Sequence, residues 1–281
     1  MIAATTRIAA VIGDPVRHSL SPRLHNAAYR ALGLDWVLVA FEIPDGGAPA
    51  AVDAARALGL LGYAVTMPHK TAIAELCDEL SPDAAALRSV NTMTALPDGR
   101  IAGDSTDGAG FVRSLADADV DPAGCSVLVL GAGGAARAVA RSLGVAGAHV
   151  AVAARNPAAA AEAAALADGA AISWNDRAGS AATADIVVNA TPLGMAPAPG
   201  ESASGAPVGA EVLGPKQVVV DLVYHPIDTP LLRTAREQGA TAVSGIGMLV
   251  HQAALQVELW SGQPAPLDAM FAALVTEVDG R

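Results

Sequence analysis

Three groups of residues in this sequence have the types and spacing to do chemistry. The first is a glycine cluster. In Val127-Leu-Val-Leu-Gly-Ala-Gly-Gly-Ala-Ala-Arg-Ala138, four apolar residues run into Gly131-x-Gly133-x-x-Ala136 and then into an alanine-rich helical pattern. This is the spacing of a dinucleotide fingerprint. The first glycine turns tightly, the second lets main-chain N–H groups approach a pyrophosphate, and a small third residue lets helix and strand pack closely. The helix N-terminus adds unpaired donors and a partial positive charge. A plain strand-to-helix turn uses the same glycines. The nucleotide reading is favoured by the second apolar run, His149-Val-Ala-Val-Ala153, with Arg155 at its end. The second group is Ser19 and Ser21 in His18-Ser-Leu-Ser-Pro22. Two residues apart before a helix, both hydroxyls can face one anionic ligand group. Ser21 also suits a simple N-cap with Pro22 in the first turn. The third group is Lys70 and Asp107. Lys70 starts a helix, where a cation opposes the helix dipole, and a broken local rule is what functional sites often look like. Asp107 stands in the first turn of another helix, where a carboxylate either complements the dipole or works in a site.

The elements that position these residues follow from periodicity. Arg7 to Ile12 reads as a strand ending at Gly13-Asp14-Pro15. Leu24, Ala27, Ala28, Ala31 and Leu32 recur at helical spacing up to Gly33. Val37–Phe41 is a strand, Ala48–Leu58 a helix stopped by Gly59, and Leu60–Thr66 a strand broken by Pro68. Lys70 then opens a helix to Leu76. Ser81-Pro82 caps the next helix, 90–94 is a short strand, and Pro97-Asp98-Gly99 is a turn. Gly108–Leu115 is a helix that Ser105 or Thr106 can cap. From Cys125 the order is strand, glycine loop, helix, strand, helix (Pro157–Ala167) and strand (Asp185–Asn189). Residues 196–214, rich in Pro, Gly, Ser and Ala, read as a mobile loop around the cofactor. The apolar centre of Gln217–Asp221 is too uniform for an amphipathic strand and predicts a buried parallel one. Leu231–Gln238 is a helix, Thr241–Ser244 a strand and Gly247–Trp260 a final helix. No internal repeat is visible. The βαβ alternation on both sides of residue 105 predicts two α/β domains, the second holding the nucleotide.

Composition sets the bounds. The 281 residues suffice for two modest domains, and 52% hydrophobic against 16% charged residues describes a globular chain. A formal net charge of −11 without any Lys/Arg run argues against nucleic-acid or anionic-membrane partners. No signal-peptide pattern and no membrane-length apolar run is present. Two cysteines, Cys77 and Cys125, form neither a disulfide framework nor a metal spacing, which predicts a reducing cytoplasm. His18 and His25 have no ligand cluster beside them, so no metal is expected.

With these motifs in place, the chain resembles the shikimate dehydrogenase family nearly end to end. The resemblance rests on His18-Ser-Leu-Ser-Pro with His25-Asn26, Val65-Thr-Met-Pro-His-Lys70, Val90-Asn91-Thr92 and Ser105-Thr-Asp107-Gly108. It continues through Gly131-Ala-Gly-Gly-Ala135, Asn189-Ala-Thr-Pro-Leu-Gly-Met195, Asp221-Leu-Val-Tyr-His-Pro226 with Thr229-Pro-Leu-Leu232, and Gly245-Ile-Gly-Met-Leu-Val-His-Gln252. It implies an α/β substrate domain over 1–104, a Rossmann-like NADP domain over 105–243, and a helical segment, 244–281, packing back on the first domain. It implies reversible NADP-linked reduction of 3-dehydroshikimate to shikimate, with Lys70 and Asp107 catalytic. A lysine within hydrogen-bond reach can handle the proton when burial or a neighbour tunes it. By the same resemblance Ser19 and Ser21 hold the substrate carboxylate. Thr66, Asn91, Asp107 and Gln252 meet its hydroxyls, and Tyr224 sits near substrate and nicotinamide. Gly131, Ala132, Gly133, Gly134, Ala135, Arg155, Thr191, Leu222 and Gly245 hold the cofactor. The resemblance is compatible with a homodimer, which the residues themselves do not specify.

The chain departs from the family pattern at several places. Ala64 stands where asparagine is frequent, Ser105 where asparagine precedes Thr-Asp, and Arg88-Ser89 where Gly-Ala precedes Val-Asn-Thr. The Asn-Arg-Thr grip on a 2′-phosphate is reduced to Ala154-Arg155-Asn156 with Ala159. Arg155 still favours NADP, since an acidic residue there would favour NAD. Two other readings stay open: a quinate/shikimate dehydrogenase or paralogue of altered preference, and a non-catalytic module sensing NADP or the metabolite.

Overall fold

The computed structural model describes residues 2–196 and 205–275. The chain forms two compact units, one of Met1–Thr106 with Val250–Arg281 and the other of Asp107–Leu249.

The first unit runs β1 (Arg7–Gly13), α1 (Ser21–Ala31), β2 (Trp36–Glu42), α2 (Ala48–Leu58), β3 (Gly62–Val65), α3 (Lys70–Leu76), β4 (Glu79–Leu80), α4 (Pro82–Leu87), β5 (Thr92–Ala95) and β6 (Ile101–Asp104). The sheet order is β2-β1-β3-β5-β6-β4. β1 is parallel to β2 and β3, and β5 is antiparallel to β3 and β6. Its core joins Ile12, Val65, Ile73, Met93 and Ile101 to the alanines of α2. The helix stops are local. Gly59 ends α2 in the left-handed region at φ 62°, where glycine carries no steric penalty. Arg88 takes the same role after α4 at φ 49°. The departure from the family's Gly-Ala at 88–89 is therefore a change of helix cap.

The second unit runs α5 (Asp107–Ala116), β7 (Ser126–Leu130), α6 (Gly134–Val145), β8 (His149–Ala154), α7 (Pro157–Ala165), β9 (Ala170–Ser173), α8 (Arg177–Ala181), β10 (Ile186–Asn189), β11 (Val218–Asp221), α9 (Pro230–Glu237) and β12 (Thr241–Ser244). All neighbouring strands are parallel, in the order β12-β11-β10-β7-β8-β9. This is the doubly wound arrangement, with the order reversing between β7 and β10. Uniform apolarity has the expected cause. Val127, Val129, Ile186, Val188 and Val220 enter the core on one face, while Leu128, Leu130, Val187 and Val219 enter the core on the other.

α10 (Gly245–Ser261) starts in the second unit and belongs to the first from Val250 on. It is followed by α11 (Leu267–Val275), which lies against α1. Trp260 Nε1 donates to Thr94 Oγ1 at 3.1 Å, fixing α10 to β5. Five elements, β4, β6, β9, α8 and α11, go beyond the periodicity reading. The expected mobile loop at 196–214 needs correction. Residues 197–204 lie outside the described residues, but 205–214 are ordered. They form a short helical turn over Ala210–Val212 and bury Val208 and Leu213 in the core, because apolar side chains at those two positions find a place against the sheet. Among the described residues no helix is long and apolar enough to cross a membrane.

Candidate active site

In the first unit, the loops after β1 and β3 meet. A Cβ on Gly13 would collide with the Thr66 methyl, so only glycine permits the approach. Thr66 N donates to Ile12 O and Asp14 N to Met67 O, both at 2.9 Å. His69 is buried and its ring nitrogen Nε2 donates to Ile43 O at 2.8 Å. Lys70 follows as the first residue of α3 and is partly buried. Two main-chain bonds tie this loop to the start of β5. Val90 N donates to Lys70 O at 3.0 Å and Val65 N to Asn91 O at 2.7 Å. Main-chain bonds therefore bring Thr66, Lys70 and Asn91 together.

Asn91 is 3% exposed. Its Nδ2 donates to Thr106 Oγ1 at 2.9 Å, and Thr106 Oγ1 donates to the main-chain O of Gln252 at 3.1 Å. The Gln252 segment is thereby joined to Asn91. Thr106, next to the start of α5, thus has its hydroxyl engaged within the first unit. Ala64, the departure on β3, is buried opposite Thr92 in the antiparallel register.

The N-cap expectation for Ser21 is corrected. Leu20 already has helical dihedrals (φ −85°, ψ −6°) and occupies the cap without a side-chain bond. Ser21 is thus inside the helix, and its N–H donates to Ser19 Oγ at 3.3 Å. The two serines are together and partly exposed. Asn26 is spent on structure, bonding both main-chain groups of Leu38. His25 Nδ1 donates to Ser21 O at 2.9 Å, and burial pushes its pKa down to about 4. The neutral ring is therefore the native form. Its contribution to stability is complete above the unfolded value of 6.5 and is lost as pH falls toward about 4. Urea titrations of wild type and His25→Gln across that range should show the wild type losing up to about 3 kcal/mol more than the variant. Parallel pH slopes would remove His25 from this role.

In the second unit the glycine loop joins β7 to α6. Gly131 has φ +115°, and a Cβ there would come 2.7 Å from Ala190 O. Ala136 is fully buried in the core. Around Gly133 and Gly134 a Cβ would meet nothing within 4 Å. Gly133 caps α6 without a side-chain bond, so the first N–H groups of α6 face an open cradle bordered by Ala132 and Ala135. This fits a pyrophosphate. Arg155 is exposed just past β8 and lines a cavity of about 390 Å³ with Ser173, Trp174 and Asn175. Ser173 reaches it because β9 pairs with β8 in the register Ala154↔Ser173. A guanidinium with a hydroxyl and an amide nearby fits a phosphate.

Asp221, at the end of β11, was not singled out by sequence and proves to be a hub. Its Oδ1 accepts from Asn189 Nδ2 at 2.8 Å and Val223 N at 3.0 Å, and its Oδ2 from Thr229 Oγ1 at 2.6 Å. Burial raises its pKa despite these donors. A carboxylate ending the run Val218-Val219-Val220 was the signal for it. The hub holds the loops that carry Thr191, Leu222 and Tyr224. Thr191 is further fixed by bonds from its N and Oγ1 to Asn189 Oδ1 at 3.0 and 2.7 Å. Leu222 N donates to Asn189 O at 2.9 Å. A Cβ on Gly245 would meet Leu222 O at 2.6 Å, so glycine is required at the start of α10. Tyr224 is half-buried, which pushes its phenol up. Asp107 is the first residue of α5, and Gly108 beside it lets α5 approach Ala138 and Ser142 of α6. Among the described residues no His/Cys/Asp/Glu group has a metal-binding arrangement.

Three family models match parts of the chain. Residues 11–93 match the model described as shikimate dehydrogenase substrate binding domain, and 245–274 match the shikimate 5′-dehydrogenase C-terminal domain. Residues 126–221 match a model described as NADP oxidoreductase coenzyme F420-dependent. The chain is 43% identical to a shikimate dehydrogenase (NADP(+)) of Methanopyrus kandleri, over 97% of this chain and 96% of that one. It is similar to a crystal structure of a shikimate dehydrogenase in complex with NADP+, with TM-score 0.90 and 35% identity, covering 99% of this chain and 97% of that one. It is also similar to a quinate dehydrogenase from Corynebacterium glutamicum in complex with NAD, with TM-score 0.89 and 30% identity, covering 96% and 99%.

Proposed function

The chain belongs to the shikimate dehydrogenase family, and from that premise we propose that it interconverts 3-dehydroshikimate and shikimate with NADP(H), Lys70 handling the proton and Asp107 assisting it. The observation that carries the reading is the main-chain anchoring of Lys70 beside Thr66 and Asn91. A cation at a helix N-terminus opposes the dipole, and this chain invests a buried histidine and two strand-to-loop bonds in holding it there.

NADP, when bound, supplies or accepts the hydride. The chain's own residues do the rest. Ser19 and Ser21 bind the substrate carboxylate with neutral hydroxyls. Thr66, Asn91, Asp107 and Gln252 pair with ring hydroxyls, so an analogue lacking one leaves a polar partner unpaired and is rejected. Lys70 gives a proton to the ketone oxygen in reduction and takes it from the hydroxyl in oxidation. Tyr224 flanks the reacting ring. The main chain of Gly131–Ala135 and the α6 N-terminus hold the pyrophosphate, and Arg155 selects the 2′-phosphate. Thr191, Leu222 and Gly245 border the nicotinamide end. The two unpaired cysteines support a reducing, cytoplasmic setting.

A second reading, dual use of quinate or NAD, is favoured by Ala64 and by the loss of side chains around Arg155 at Ala154 and Ala159. A panel of shikimate and quinate with NADP and NAD tests both. We expect kcat/KM to be highest for shikimate with NADP. Equal or greater values for quinate or NAD would replace the first reading with the second.

A further inference from the structure

We propose that Gln256 is a positioning residue, which through Thr92 and Thr106 closes a directed ring of hydrogen bonds that fixes which way the Asn91 amide faces. This rests on the reading of Asn91 as a substrate contact.

The direction of each bond follows from what each group can do. Gln256 Nε2 donates to Asn91 O at 3.2 Å and to Thr92 Oγ1 at 3.1 Å. Having accepted there, Thr92 gives its hydroxyl hydrogen to Asn91 Oδ1 at 2.8 Å. Thr106 N, which can only donate, also reaches Oδ1 at 2.8 Å. Asn91 Nδ2 then donates to Thr106 Oγ1, whose one hydrogen has two acceptors in reach, the Gln252 carbonyl at 3.1 Å and Asn91 Oδ1 at 3.2 Å; the first closes the ring to α10, and the second keeps Oδ1 an acceptor all the same. Gln252 and Gln256 are one turn apart on α10, so the ring leaves this helix at one residue and returns at the other.

A flipped Asn91 amide would set its NH2 group against the Thr106 N–H, donor against donor. Only one orientation is compatible with the ring. Its members are sealed from solvent, with Asn91 and Thr106 at 3%, Gln256 at 1% and Thr92 at 0% exposure, and an unmade bond in such a place has no water to replace it. The ring saturates Oδ1. Beyond the ring Asn91 therefore presents the Nδ2 side of its amide and not an open lone pair. Neither Gln256 nor Thr92 needs to touch substrate for this.

Thr92→Val removes the hydroxyl at nearly constant shape, Thr92→Ser restores it, and Gln256→Leu removes the first donor. The Asn91 side-chain amide signals, assigned by their loss in Asn91→Leu, are followed by 15N–1H NMR in the wild type and in each variant. The ring predicts a protected Asn91 amide in wild type and in Thr92→Ser, with protection lost in Thr92→Val and Gln256→Leu. It also predicts a shikimate KM raised about tenfold in the latter two, with the NADP KM moved less than about twofold. An unchanged amide signal, an unchanged shikimate KM, or an equal rise in both KM values would overturn the proposal. Absence of shikimate turnover in wild type would instead defeat the functional reading, and the amide signals would still decide whether the ring orients Asn91.

Discussion

Lys70→Met lowers kcat for shikimate oxidation about a thousandfold, within the range that positioned acid–base groups contribute. The shikimate KM changes by no more than about tenfold. Methionine keeps an apolar stem of similar reach and deletes the ammonium. The loop around it is held by His69 and by main-chain bonds from Val90 and Val65, none of which involves the ammonium. The fold is therefore expected to survive, with Tm within about 4 °C of wild type. Stopped-flow and steady-state assays with a thermal melt separate these quantities. A kcat within about tenfold of wild type would remove Lys70 from the proton-transfer step.

The second large effect is in cofactor choice. Arg155→Ala raises the KM for NADP by about 10- to 100-fold, the value of one charge-assisted bond of roughly 1.5–3 kcal/mol. The KM for NAD stays the same or falls. Ala154 and Ala159 offer the phosphate no side-chain bond, so no second cation or hydroxyl on β8 or α7 compensates. Ser173 at the end of β9 and Asn175 in the turn after it remain, which is why the loss stays finite. Titration calorimetry with NADP and NAD checks this without turnover. Equal weakening of both cofactors would mean that Arg155 supports the loop and does not read the phosphate.

The parts of this fold that sequence made legible are those governed by local rules. β11 read as a buried parallel strand, and β7 as an apolar strand, because both faces of each enter cores. The glycine loop was legible because Gly131 has to turn and Ala136 has to be small. Lys70 was legible because it breaks the dipole rule at the start of α3. α11 also has local signals, Pro266 before it and Asp268 in its first turn. β9 does not, since Ala170-Ala-Ile-Ser173 has almost no strand propensity and is a strand only because β8 is beside it. The antiparallel pairing of β5 is likewise a tertiary property. Ser21 failed as a cap because the chain turns helical one residue early, at Leu20. The ring through Asn91 was invisible because Gln256 acts on residues 164 and 165 positions away. Asp221 differed only in degree: its lone carboxylate after three valines was visible, but its donors come from the end of β10 and from two places on the loop between β11 and α9.

The most direct measurement of the central claim is product formation. Purified protein is mixed with NADPH and 3-dehydroshikimate. Loss of reduced-nicotinamide absorbance is followed while shikimate is quantified by chromatography. The account predicts shikimate formed mole for mole with NADPH consumed. Binding of both ligands by calorimetry with no shikimate formed would contradict it, leaving a sensor built on a dehydrogenase fold.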